Sequence, residues 1–78
     1  MTFKMTDLEK VIVSTFFKED GEYIEQVAAD IVAKTDRAKR SVSGAIGSLT
    51  KKGILVHKEE KKGLKIHFPS EAYLESIQ

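Results

Sequence analysis

The side chains of this sequence that could do chemistry are mostly cations. Arg37, Lys39, Arg40 and Lys51 bracket two glycines, Gly44 and Gly47, and Lys58, Lys61, Lys62 and Lys65 follow close behind. Positive groups repeated along neighbouring elements bind phosphates or another polyanion. The charge is divided along the chain. Residues 1–36 carry a net −4, residues 37–65 a net +7 and residues 66–78 a net −2, although the whole is only +1. Such a chain presents a basic side and an acidic side. The plainer reading is chance clustering on a solvated surface, and lysines on a hairpin also guard an exposed edge against pairing.

Other chemistries find less support. The sequence has no cysteine, which excludes disulfides, thiolate metal sites and thiol nucleophiles. His57 and His67 could face each other across a hairpin, but two ligands do not make a metal site, and both read as solvated strand residues. Asp7, Glu19, Asp20, Glu22, Glu25 and Asp30 are scattered over turns and helix surfaces, with no glycine-rich phosphate loop or nucleophile nearby. The expectation is no catalysis, no cofactor and no metal. No apolar run approaches the ~18 residues that span a bilayer. The opening MTFKMTDLEK is too interrupted by charge for a signal peptide, so a soluble cytoplasmic protein without a membrane partner is expected.

The elements that must hold the cations can be read from periodicity and punctuation. Seventy-eight residues, 41% apolar, suit one domain over 1–78 with a small core. A first helix is expected over Met5–Phe17, opened by a Thr6/Glu9 capping box. Its stripe is Leu8, Val11, Ile12, Thr15 and Phe16, with Val13 and Phe17 left off it. Lys18–Glu22 is a turn around Gly21. Tyr23 and Ile24 form a very short strand or lead into a second helix, about Glu25–Lys34, whose inner face is Val27, Ala28, Ile31 and Val32. After a turn at Lys34–Asp36, Thr35 or Asp36 would cap a third helix reaching about Lys52, with Gly53 in the left-handed position beyond its end. Ile54–Lys58 then pairs with a strand in which Leu64, Ile66 and Phe68 alternate with Lys65 and His67, around a turn at Gly63. Ser70 caps a last short helix. The fold class is α+β: a three-helix core, a two-stranded hairpin and a C-terminal helix.

A helical wheel sharpens the question of the glycines. With Val42 at the origin, Ala38, Ala45, Ile46 and Leu49 fall within about 60° and form the buried stripe. Arg37, Arg40, Gly44, Gly47, Ser48 and Lys51 lie near the opposite pole. Each glycine costs a helix roughly 1 kcal/mol relative to alanine. Core packing does not explain them there. Either they let the helix approach a surface closely, with Ser43 and Ser48 donating short hydrogen bonds, or they are tolerated drift.

The stretch SVSGAIGSLTKKGILV, Ser41–Val56, resembles the recognition helix and first wing strand of winged helix-turn-helix DNA-binding domains. The resemblance lies in Ser41, Val42, Ser43, Leu49, Lys51, Lys52, Gly53, Ile54 and Leu55, and the element order extends it over most of the chain. It implies a transcriptional regulator whose third helix, about 37–52, enters the major groove of double-stranded DNA while the hairpin, about 54–68, touches the backbone or the minor groove. The DNA-facing residues would be Arg37, Lys39, Arg40, Ser43, Gly44, Gly47, Ser48, Lys51, Lys58, Lys61, Lys62 and Lys65. A bare glycine patch makes no bidentate base contacts, so readout would fall to Arg40, Ser43 and Lys39, with modest specificity. The alternatives are a protein-interaction module on the same scaffold and a nonspecific architectural DNA binder. A homodimer through the surplus apolar residues Phe3, Val13 and Phe17 is also expected, because two-fold dimers strengthen half-site binding.

Overall fold

The computed structural model describes residues 3–77. The order is α1 (Asp7–Ser14), α2 (Ala28–Thr35), α3 (Lys39–Lys51), β1 (Leu55–Lys61), β2 (Leu64–Pro69) and α4 (Glu71–Ser76). These make an α+β fold of four helices and one antiparallel hairpin.

Helix α1 opens with the capping box its sequence announces: the Glu9 amide donates to Thr6 Oγ1 at 3.2 Å and the Thr6 amide to Glu9 Oε1 at 2.8 Å. It stops before Phe17, because Ser14 and Thr15 turn their hydroxyls back onto the carbonyls of Val11 and Ile12. Phe17 is instead paired with Tyr23 across the Gly21 turn. The inner face also differs from the expected stripe. Val13 is 4% exposed and part of the core, whereas Val11 is 37% exposed.

Helix α2 starts three residues later than expected, because Gln26 is drawn into a bridge with β2. Its amide donates to the His67 carbonyl at 2.9 Å and its carbonyl accepts from the His67 amide at 2.7 Å. Asp36, at φ 53°, ends α2 rather than beginning α3, and the Thr35 hydroxyl is spent on the Ile31 carbonyl. Neither residue caps α3. That helix begins at Lys39 behind Ala38, whose methyl offers no cap.

The C-terminus of α3 follows its sequence. Gly53 takes φ 78°, its amide donates to Thr50 O, and the Ile54 amide reaches back to Leu49 O, a Schellman closure. This seats Ile54 and Leu55 in the core and fixes the hairpin's facing. Leu55 pairs with Pro69, so Pro69 and then His67, two residues back, share the inner face. The expected alternation is thus inverted: His67 points inward at 7% exposure, Ile66 and Phe68 lie half-buried on the outer face, and Leu64 is 40% exposed.

Ser70 caps α4 through the Tyr73 amide and ties it to the end of α3 by donating to the Gly53 carbonyl. Tyr73 then packs edge-on to Phe3, with ring centroids 5.7 Å apart, and tilted against Phe17 at 6.4 Å. Of the apolar residues from which a dimer was expected, Val13 is buried within the chain, and Phe3 and Phe17 are partly covered by Tyr73. The core comprises Ile12, Val13, Phe16, Ile31, Val42, Ile46, Leu49, Ile54, Leu55 and Tyr73. Among the described residues, no helix is long and apolar enough to cross a membrane.

Candidate functional site

Helix α3 has four sides, and each has a different environment. Val42, Ile46 and Leu49 are buried in the core. The opposite side carries Arg40, Gly44, Gly47 and Lys51, all exposed. No acid occurs anywhere in the helix, and none of these cations makes an ion pair among the described residues. A Cβ built on Gly44 or Gly47 would meet nothing within 4 Å, and neither backbone has a positive φ. Both glycines are thus replaceable without clash or strain. The fold does not require them.

The side toward α1 is closed. Glu9 is 2% exposed, and its Oε1 accepts from Lys52 Nζ at 2.7 Å; the same ammonium donates to the Lys4 carbonyl at 3.1 Å. Burial alone would raise the Glu9 carboxyl, but the Lys52 ammonium and the Thr6 amide outweigh it, holding the group down at about 2 instead of 4.5. The Ser48 hydroxyl, though outside good hydrogen-bond geometry, favours the ionised form as well. Ser48 is accordingly half-buried on this side and does not belong to the outward set where the wheel put it.

The fourth side faces the hairpin across a notch of about 300 Å³ lined by Ser43, Gly47 and Thr50 from α3, Ala28 from α2, and His57, Lys65 and His67. Ser43 and Gly47 therefore stand at the edge of the notch, where it meets the outward side. His57 and His67 are cross-strand partners with ring centroids 5.8 Å apart. They do face each other, but only His57 is solvated. The His67 ring is held below its ordinary 6.5 by burial, and next by the positive fields of His57 and Lys65. Its Nδ1 is buried without a hydrogen-bond partner among the described residues.

The remaining predicted cations divide the same way. Arg37 lies exposed in the α2–α3 link, outside the helix, and Lys39 lies at the mouth of a second groove, against α2. Lys58 is occupied: its ammonium is 3.3 Å from Glu25 and 5.9 Å from the Phe68 ring centre, on the outer face of the hairpin. Lys61, Lys62 and Lys65 are exposed and make no ion pair among the described residues. Glu59, beside them, closes the turn by accepting from the Gly63 amide at 3.0 Å. The described residues hold no cluster of three or more His, Cys, Asp or Glu fit to bind a metal.

Sequence reasoning missed Glu9 as a buried ion-pair partner and His57 as a groove-lining residue. The first had a local signal, the capping box, that explained it too well. No family model matches the chain, and no curated protein or solved structure matches it.

Proposed function

We propose that the chain is a winged helix-turn-helix domain that binds double-stranded DNA and acts as a transcriptional regulator. Helix α3 is its recognition helix and the β1–β2 hairpin its wing. The element order supports the fold reading, as does the Gln26–His67 bridge, which adds a rudimentary third strand ahead of α2.

One observation carries the functional reading: the outward side of α3 is an acid-free surface of free cations around two glycines that the fold does not need. Arg40 and Lys51 lie about 16 Å apart along a helix rising 1.5 Å per residue, a span that reaches more than one phosphate of a duplex. Between them, the missing side chains let the backbone sit close, with Ser43 the polar group nearest the bases. Lys61, Lys62 and Lys65 contact the flanking backbone from the hairpin. Phosphate contacts then supply most of the affinity and base contacts little, so discrimination between sequences is modest.

Titration of a random duplex over a salt series tests this. Affinity should fall steeply, with a log–log slope of about −0.9 per phosphate neutralised. Salt-insensitive binding, or none at low salt, would contradict the reading. Selection from random duplexes then separates a regulator, which enriches one operator, from an architectural binder, which enriches none.

A further inference from the structure

A second groove, about 470 Å³ in volume against the notch's 300 Å³, lies between α2 and the hairpin tip. Its walls are Val27, Ala28, Ala29 and Val32 on one side and Gly63 and Leu64 on the other. Lys39 and Lys65 stand at its rim, and His67 lies at its base. The volume suits a small organic ligand. Leu64, 40% exposed, is the large apolar group of the hairpin wall.

The charges are one-sided. No Asp or Glu lines the groove, and neither rim lysine has an ion-pair partner among the described residues. Lys39 is also the first residue of α3, whose N-cap Ala38 leaves the first-turn amides without a side-chain acceptor, so the positive end of the helix adds to the same field. We infer that this groove binds a small apolar monoanion, such as an aromatic carboxylate, with its body against Val27, Ala28, Val32 and Leu64 and its carboxylate between Lys39 and Lys65. A highly charged phosphate ester would leave the apolar walls uncovered, and a cation would meet two ammonium groups. Such a ligand would also bridge α2 to the hairpin and neutralise Lys65, one of the lysines of the proposed DNA surface, so it should oppose duplex binding. The binding itself is independent of the DNA reading; only the antagonism rests on it.

Three probes of one shape test the groove: 2-naphthoate, neutral 2-naphthamide and cationic 2-naphthylmethylamine, each titrated into the labelled whole chain by NMR. The naphthoate should give saturable shifts centred on Val27, Ala28, Val32 and Leu64, the amide should bind about fivefold more weakly, and the amine should not bind there. Lys39→Gln with Lys65→Gln, both exposed, should reduce naphthoate to the level of the amide while leaving the rest of the spectrum folded. Equal affinity for all three probes, shifts centred elsewhere, or none at millimolar concentration would overturn the inference. Naphthoate seated as described in a protein that ignores duplex would leave the groove standing and remove the DNA reading. In a protein that binds duplex, naphthoate should raise the apparent Kd, and no change in Kd would refute the antagonism.

Discussion

Lys51 and Lys52 are neighbours in sequence and opposites in circumstance. Lys52 turns toward α1, where its ammonium sits 2.7 Å from a carboxylate that is almost wholly buried. Lys51 turns outward beside Gly47, exposed and without an ion-pair partner among the described residues. One side of α3 has its charges matched within the chain. The other presents unmatched cations around glycines that cost helix stability and fill no packing need. A chain that neutralises charge where it folds and leaves it free on one helical face has that face available for an anionic surface.

The contrast makes the two lysines give opposite phenotypes. Lys52→Met should destabilise the fold by about 1–3 kcal/mol, because Glu9 is left buried with its charge unmatched. Lys51→Met should leave a thermal melt nearly unchanged. Equal melts for the two variants would break the comparison. The Glu9 contribution has a definite pH dependence. Its carboxyl is lowered on folding, so the stabilisation is complete above about 4.5 and is lost as pH falls toward 2. Glu9→Gln should remove that acid-side slope.

A smaller effect of opposite sign is expected at the glycines. Gly44→Ala and Gly47→Ala should each stabilise the fold by up to about 1 kcal/mol, since both Cβ positions open to free space. The same substitutions should weaken duplex binding, and larger residues should weaken it further. Greater stability with unchanged binding would mean the glycines are drift.

The smallest effect lies at the seam between helix and hairpin. The His67 ring is held below its ordinary 6.5 by burial, with His57 and Lys65 adding positive field from the hairpin and no carboxylate among the described residues lining the notch. Folding thus disfavours its protonation, so stability should be full above about 6.5 and decline as pH falls below it. Denaturant midpoints at about pH 7.5 and pH 5.5 should differ, and His67→Phe should shrink the difference.

What was legible in the sequence was local. The Thr6/Glu9 box, Gly21, Gly53 and the Ser70 cap act over a few residues, and each stands where its spacing indicated. The outward placement of Arg40, Gly44, Gly47 and Lys51 was equally local, being helical phase alone. The misreadings came from longer-range contacts. Glu9 meets Lys52 across 43 positions, which buries the carboxylate of a helix cap in an ion pair whose lysine stays partly exposed, and Ser48 lies half-buried on the same side. The Gln26–His67 bridge delays α2, and the end of α3 turns His67 inward by seating Leu55. Alternation along β2 fixes which residues share a face, but only that distant seating decides which face is inside.

The most direct test of the central claim is the salt dependence of duplex binding by the Arg40→Ala, Lys51→Ala double variant beside the unaltered protein. Both residues are exposed and outside the core, so the variant should melt as the parent does. If they neutralise phosphates, affinity at low salt should drop at least tenfold and the log–log slope should flatten by about two. Unchanged affinity and slope in a folded double variant would contradict the account.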